Sequence, residues 1–190
     1  MTLKIDIAGE EIETVPLDRT AVEVMIDHGA LPNDGRVELV DGILRPMPPS
    51  YAPHAAAVIE IGHAIRTALG RSRQILADPA FFLSDDTMFG PDLFVLPRDV
   101  ELREATGRDV DLLVEISQTT LAYDLRLKAE RYGRAGVADY WVVDLDNRLL
   151  HVHRTPRADG YASVEQIAWD RPVTALRLPA LTLTLAEVLA

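Results

Sequence analysis

A nearly continuous apolar run in the middle of the chain constrains the fold more than any other segment. Residues 110–116 read Val-Asp-Leu-Leu-Val-Glu-Ile. Strands with one solvated face alternate apolar and polar residues, whereas strands covered on both faces are apolar almost throughout. The run therefore predicts a central strand whose sheet has other layers of the fold on both sides.

Two long helices are predicted beside these strands. The first runs from about His54 to Leu69, where apolar residues recur at the spacing of one helix face and Gly70 ends the pattern. The second runs from about Leu121 to Ala135 and ends at Gly136. Strands mixed with flanking helices are typical of an α/β or α+β fold.

Shorter segments predict the remaining elements. Residues 36–45 indicate a β-hairpin, because Asp41-Gly42 is a favoured two-residue turn between apolar arms. A helix is predicted at Ala21–His28, and a final helix or strand at Thr182–Leu189. The other predicted strands are Gln74–Ala77, then Ala80–Leu83 and Asp92–Leu96 joined by a turn at Ser84–Thr87, and the pair Tyr140–Val143 and Leu149–His153.

Length and composition exclude several classes of protein. The chain has 190 residues, of which 48% are hydrophobic and 26% charged, as expected of one folded domain with a sizeable core. It has no cysteine, which excludes disulfide frameworks, thiolate zinc sites and cysteine nucleophiles. Its net charge of −11 argues against non-specific coating of nucleic acid or anionic membranes, although a locally basic cleft remains compatible with it.

No targeting or membrane segment is evident. Residues 1–15 mix charged and apolar side chains, unlike a signal peptide. No apolar run approaches the roughly 18 residues that a membrane span needs. We therefore expect a cytoplasmic protein without a membrane partner.

Three acidic side chains lie among apolar neighbours, where an unpaired charge is costly. Glu115 lies near the end of the central run, Asp92 at the head of a predicted strand, and Glu38 in the hairpin. A strand cap is an alternative for Asp92, and an exposed hairpin face explains Glu38 equally well. Carboxylates that converge at strand ends form an oxygen site suited to Mg²⁺ or Mn²⁺.

Lys128 is unusual because seventeen of the nineteen basic residues are arginine. It lies four residues after Asp124 on the second predicted helix, so a surface ion pair is one interpretation. The other is a need for a compact ammonium group whose pKa can shift. Residues 124–134 hold four basic and two acidic residues, and this local positive charge, which includes Arg126 and Arg131, suits a phosphate backbone.

Six short motifs occur in the order seen in one known family. They are Glu38–Gly42, Met47–Ser50 with His54 four residues later, Pro91-Asp92, Val114–Ser117, Asp124 with Lys128 and Tyr132 at intervals of four, and Gly136–Asp144. Taken together, the chain resembles the Uma2 family of restriction-endonuclease-like proteins, within the PD-(D/E)xK nuclease superfamily. The resemblance extends from about Val37 to Arg154, and more loosely to the C-terminus.

The resemblance implies a restriction endonuclease-like fold, in which a mixed central β-sheet is flanked by helices. It implies a single domain over residues 1–190, with an N-terminal strand and helix extension at residues 1–35 and a core at residues 36–154. The site of such a fold lies at the strand ends and depends on a metal ion.

The resemblance also implies a set of site residues. Asp92, Glu115 and Glu38 match the acidic positions and would hold Mg²⁺ or Mn²⁺. The chain departs from the superfamily pattern at Ser117, which stands in place of a lysine. In proteins resembling this one, a lysine on the following helix takes over that role, and Lys128 occupies the corresponding position.

The activity implied by the resemblance is metal-dependent hydrolysis of phosphodiester bonds in nucleic acid, DNA in the first place, by a homodimer. The alternative is a non-catalytic binding or structural protein that keeps the acidic pocket, which the serine at position 117 and the net charge favour. A local helix cap is a further alternative for His54. The catalytic candidates are Asp92, Glu115, Lys128 and Glu38, and the nucleic-acid-binding candidates are Arg126, Arg131, His54 and Ser50.

Overall fold

The chain divides into two compact units in the computed structural model, which describes residues 3–7 and 10–190. The first unit comprises Met1–Pro48 and Ala80–Gly90, and the second comprises Pro49–Pro79 and Pro91–Ala190. Each unit consists of two separate segments of the chain. The single domain over residues 1–190, with a core at residues 36–154, stays a prediction.

Among its described residues, the first unit contains a β-ribbon, one α-helix, a short 3-10 helix at Asn33–Gly35 and a four-stranded sheet. The helix α1, Arg19–Asp27, begins where the Asp18 side chain accepts a hydrogen bond of 2.8 Å from the backbone N–H of Ala21. The ribbon pairs β1, Leu3–Ile7, with β2, Glu10–Thr14. The sheet has the order β4-β3-β7-β6, with β3 at Val37–Val40, β4 at Ile43–Pro46, β6 at Phe81–Ser84 and β7 at Thr87–Phe89.

The predicted hairpin is confirmed as the β3–β4 pair. Asp41 and Gly42 both have positive φ, 50° and 82°, as a tight turn between two such strands requires. The turn predicted at Ser84–Thr87 was expected to lead into the strand at Asp92–Leu96. This expectation is wrong, since the turn joins β6 to β7 within the same sheet. The short β7 was missed because only three residues form it.

The second unit is built on a six-stranded sheet with the order β12-β11-β10-β9-β8-β5. All neighbouring pairs are antiparallel except β9 and β10, so the sheet is mixed. The strands are β5 at Arg73–Leu76, β8 at Leu93–Pro97, β9 at Leu112–Ser117, β10 at Asp139–Asp144, β11 at Leu149–Arg157 and β12 at Gly160–Ala168.

The central apolar run forms β9, whose six residues are all buried, as the sequence predicts. Helix α2, Ala52–Leu69, packs against it and ends at Gly70. Successive strand residues face opposite sides of a sheet, so Glu115 and Ser117 lie on the face away from this helix. The apolar core on the α2 face includes Ala57, Ile61, Ile65 and Leu69 of the helix and Leu112, Val114 and Ile116 of β9.

The second predicted helix is confirmed but is not uniform. It consists of α3, Leu121–Tyr123, a π-helical turn at Asp124–Lys128, and α4, Ala129–Ala135, and ends at Gly136 with φ of 89°. Such π turns widen the helix by one residue and are frequent at functional sites. Periodicity did not predict the turn, because only the seven residues of α4 follow it, too few to show the shift of the apolar pattern that one extra residue causes.

The C-terminal part forms a small antiparallel pair and a short helix. These are β13 at Pro172–Ala175, β14 at Leu178–Thr184 and α5 at Leu185–Val188. The predicted helix or strand at Thr182–Leu189 is therefore the end of one and the beginning of the other. The α/β class is confirmed, and no helix among residues 3–7 and 10–190 has the length and apolar character needed to span a membrane.

Candidate active site

Two acidic side chains meet where β8 begins and β9 ends. The antiparallel register pairs Leu93 with Val114, so continuing it places Asp92 opposite Glu115 on the same face of the sheet. The backbone N–H of Ile116 donates a hydrogen bond of 2.7 Å to Oδ2 of Asp92. Residues that are far apart along the chain are therefore brought together by strand pairing.

A lysine and a tyrosine from the second helix bind the same oxygen of Glu115. Nζ of Lys128 lies 2.9 Å from Oε1 of Glu115, and the hydroxyl group of Tyr132 donates to that oxygen at 2.8 Å. Lys128 is only 5% exposed and Glu115 only 3%, so this ion pair is shielded from water. A surface position for Lys128 is therefore wrong.

The π-helical turn places Asp124 beside the same lysine. Oδ1 of Asp124 lies 3.7 Å from Nζ of Lys128, and both side chains are buried. The hydroxyl groups of Ser117 and Thr120 donate to Oδ2 of Asp124. Ser117 therefore hydrogen-bonds to Asp124, and Asp124 in turn lies beside the ammonium group of Lys128.

A tyrosine from the sheet supports this turn. The hydroxyl group of Tyr140, on β10, donates a hydrogen bond of 3.0 Å to the backbone carbonyl of Asp124. The ring of Tyr140 also packs on that of Tyr132, with centroids 4.9 Å apart. Tyr140 therefore fixes both the backbone of the π turn and the ring that hydrogen-bonds to Glu115.

Acidic side chains outnumber basic ones around Lys128. Burial raises the pKa of Glu115 well above its usual range, and the charges of Asp92 and Asp124 raise it further, while Lys128 acts in the opposite direction. Burial also raises the pKa of Asp124. Three carboxyl groups acting on one another around one ammonium group form an arrangement that a cation would stabilise.

The carboxylate pair fits a magnesium-type ion better than a metal with many protein ligands. Among the part of the chain that the structure describes, no group of three or more histidine, aspartate or glutamate side chains is arranged as a metal site. Mg²⁺, however, is commonly held by one or two carboxylates together with water and substrate phosphates. Asp92 and Glu115 provide that donor set, and their role as ligands stays a prediction.

Ser50 and His54 lie next to Asp92. Nε2 of His54 is 3.1 Å from Oδ2 of Asp92, and Nδ1 of the same ring is 2.9 Å from Oγ of Ser50. His54 is partly buried and Ser50 is exposed. The structure thus supplies the acidic partner for this serine–histidine pair that the sequence did not reveal.

The remaining candidates lie in different surroundings. Arg126 is exposed on the π-helical turn, whereas Arg131 is largely buried and pairs with Glu130 at 3.2 Å. Glu38 belongs to the first unit, on β3 opposite Arg45. It is buried, so the alternative of an exposed hairpin face is wrong, and its role as a ligand stays a prediction.

Asp124 and Tyr132 are members of the site that the sequence did not assign to it. The spacing Asp124, Lys128, Tyr132 puts these side chains near one face of a helix. That signal indicated an association among them. It did not indicate that the face is buried against Glu115.

His153, on β11, lies next to Tyr140 on the same face of the sheet as Glu115. Its pKa provides a test of whether this face is buried. Its ring packs against those of Tyr140 and Tyr161, with centroids 5.2 and 5.5 Å away. Burial, reinforced by the charge of His151, lowers the pKa of His153 from 6.5 to about 4. The unfolded chain therefore binds the proton first as the pH falls, and stability is fully present above pH 6.5 and lost toward pH 4.

We expect this histidine to lower the free energy of unfolding by about 2 kcal/mol between pH 7 and pH 5. Urea unfolding of the wild type and His153→Phe at both pH values measures it. The phenylalanine variant, which keeps the ring contacts, is expected to lose that much less stability on acidification. Equal losses in both proteins would contradict the burial of a neutral His153.

The fold of the chain matches a nuclease fold. The fold is similar to the crystal structure of "a putative nuclease belonging to DUF820" from Anabaena variabilis ATCC 29413, with a TM-score of 0.66. The two chains are 17% identical, and the match covers 87% of this chain and 96% of the other. The restriction endonuclease-like fold class is thereby confirmed.

The family follows from the sequence match. The Uma2 family model, described as "Putative restriction endonuclease", matches residues 25–186. The chain therefore belongs to the Uma2 family. No curated protein matches it.

Proposed function

We propose that this protein is a metal-dependent endonuclease that hydrolyses phosphodiester bonds, with DNA as the first substrate to test. The observation that carries the proposal is the buried contact of Lys128 with Glu115, next to Asp92. Burying a lysine among acidic side chains carries a desolvation cost that even close pairing often does not fully offset. Such costly clusters of titratable groups are characteristic of catalytic sites.

Asp92 and Glu115 are the residues that we assign to a Mg²⁺ or Mn²⁺ ion. The hydrogen bonds from Ile116 and His54 converge on Oδ2 of Asp92. Those from Lys128 and Tyr132 converge on Oε1 of Glu115. We assign the opposite oxygen of each carboxylate to the cation. When bound, such an ion supplies Lewis acidity, which activates water and neutralises charge at the phosphate.

Lys128 has two tasks in this proposal. It lowers the pKa of Glu115 and so opposes burial and the neighbouring carboxylates, which raise that pKa. Its ammonium group also provides a fixed positive charge in a site with little water, where electrostatic stabilisation of a developing negative charge is strongest. A preorganised charge of this kind needs no rearrangement when the substrate reacts.

Arg126 and Arg131, on the same helix, are assigned to the nucleic acid backbone. Arg126 is exposed on the π-helical turn that also carries Lys128. Arg131 follows on α4 of the same helix. Because the chain as a whole carries a charge of −11, we expect binding to depend on this local patch and to weaken with added salt.

The proposal is tested by incubating plasmid DNA, single-stranded DNA and RNA with purified protein in Mg²⁺, Mn²⁺ or EDTA. We expect cleavage of DNA that requires the metal and that falls by about 10³-fold in Glu115→Gln. The matched control is Glu165→Gln, which changes an exposed glutamate on the same sheet and is expected to cut like the wild type.

The other possible outcomes of this experiment each support a different conclusion. Cutting that Glu115→Gln retains would identify a contaminating nuclease. Absence of cutting by clean wild type on all three substrates would favour the alternative, a non-catalytic binding or structural protein with the nuclease fold. Cutting of RNA alone would keep the chemistry and change the substrate. Homodimer formation stays a prediction, and light scattering of the same sample measures it.

A further inference from the structure

A chain of hydrogen bonds runs from the surface to the candidate metal ligand Asp92. Oγ of Ser50 lies 2.9 Å from Nδ1 of His54, and Nε2 of His54 lies 3.1 Å from Oδ2 of Asp92. Both ring nitrogens of His54 therefore have partners on opposite sides. The three residues come from a loop, a helix and a strand end that only the fold brings together.

The direction of these hydrogen bonds follows from what each atom can do. Oδ2 of Asp92 already accepts the N–H of Ile116, so it acts as an acceptor for His54 as well. Nε2 of His54 must then carry a proton. In a neutral imidazole the other nitrogen, Nδ1, is an acceptor, and in that form the hydroxyl group of Ser50, 2.9 Å away, is its donor. Ser50 thus selects the tautomer that donates to Asp92.

His54 is held firmly enough to orient a carboxylate. It lies in the first turn of α2, an 18-residue helix whose apolar side chains pack into the core of the second unit. Two donors, one on β9 and one on α2, consequently bind Oδ2 of Asp92. These two hydrogen bonds fix the rotation of the Asp92 carboxylate, so that Oδ1 points away from the two donors.

We propose that His54 is a positioning residue for Asp92 and that Ser50 is the residue that fixes the His54 ring. The inference rests on the proposed function, in which Asp92 binds the metal ion. Side chains that hydrogen-bond to a metal ligand typically change metal affinity by 10- to 100-fold when they are removed. Ser50 and His54 then act on the metal site and not primarily on the nucleic acid.

The test is calorimetric titration of Mn²⁺ into metal-free protein, with thermal unfolding of every variant as a control of folding. We expect His54→Ala to weaken Mn²⁺ binding by about 10- to 100-fold. His54→Gln restores a donor at nearly the same place and is expected to recover most of the affinity, while Ser50→Ala causes a smaller loss. His63→Ala, an exposed histidine of the same helix, is the matched control and is expected to bind like the wild type.

A second measurement separates metal positioning from contact with nucleic acid. DNA affinity in EDTA is expected to be equal in the wild type, His54→Ala and Ser50→Ala. If DNA affinity falls while Mn²⁺ affinity stays constant, the inference is overturned and the two side chains bind nucleic acid instead. Unchanged Mn²⁺ binding in His54→Ala, with a wild type that does bind, also overturns it while the proposed function stands.

If the wild type binds no Mn²⁺, the proposed function fails. The orientation of His54 by Ser50 and Asp92 can still be tested in the metal-free protein. The ¹⁵N shifts of the His54 ring report which nitrogen carries the proton. We expect a single Nε2–H tautomer in the wild type and a mixture in Ser50→Ala and Asp92→Ala. A tautomer that is mixed in the wild type, or unchanged in both variants, overturns the inference.

Discussion

Replacing Lys128 with methionine is expected to lower the rate of DNA cleavage by about 10³-fold, because the buried positive charge beside Glu115 is lost while the shape of the side chain is largely kept. Lys128→Arg is not expected to restore the rate. The ammonium group lies 2.9 Å from Glu115 and 3.7 Å from Asp124, and the larger, planar guanidinium group of arginine cannot place its charge in the same position. Single-turnover cleavage under saturating metal measures both variants.

The same substitution is expected to destabilise the fold by about 3 kcal/mol at neutral pH, as when one partner of a buried ion pair is removed. Without Lys128, burial and the charges of Asp92 and Asp124 raise the pKa of Glu115 further, so the folded state takes up a proton more readily than the unfolded state. The loss of stability is therefore expected to shrink as the pH is lowered. Urea unfolding between pH 5 and pH 8 measures this dependence.

Arg134→Ala is the matched control for Lys128, because it removes an exposed positive charge from the same helix. It is expected to cut DNA like the wild type and to change stability by less than about 1 kcal/mol. Wild-type cleavage by Lys128→Met would remove the lysine from the mechanism. Equal cleavage losses in Lys128→Met and Arg134→Ala would instead show that Lys128 contributes only to the overall positive charge of the helix.

Asp92→Asn is expected to lower cleavage by at least about 10³-fold without weakening the fold. The amide oxygen of asparagine can still accept the hydrogen bond that Ile116 donates. The substitution also removes a negative charge that raises the pKa of Glu115, so a source of repulsion disappears. Residues selected for function at a cost in stability behave in this way.

Cleavage, Mn²⁺ affinity and the midpoint of urea unfolding are to be measured on one preparation of Asp92→Asn. The matched control is Asp99→Asn, an exposed aspartate just beyond β8. We expect it to keep both cleavage and metal affinity. A variant of Asp92 that binds Mn²⁺ like the wild type would show that the cation lies elsewhere.

Several features of the fold were predictable because they depend on neighbours in the sequence. The apolar run at residues 110–116 is enough to predict a buried strand, and Asp41-Gly42 is enough to predict a tight turn. The helix that carries Lys128 ends at Gly136 because a left-handed residue favours glycine. Each of these signals is confined to a few consecutive residues.

The candidate site was only partly predictable. Apolar neighbours and the family resemblance singled out Asp92, Glu115 and Lys128, and the structure brings these three together. Tyr132 was quoted as part of a motif without its contact to Glu115. Glu38 was singled out on the same grounds as the others, and it lies in the first unit.

The sequence by itself determined the elements and which side chains carry charge on them, since these follow from local periodicity and turn chemistry. Only the tertiary structure decided which charges meet. Asp92 faces Glu115 because β8 pairs with β9 in one register, and Lys128 is buried because a π-helical turn, supported by Tyr140, turns it toward the sheet. Strand register and helix packing are set by contacts between distant residues, and local patterns do not contain that information.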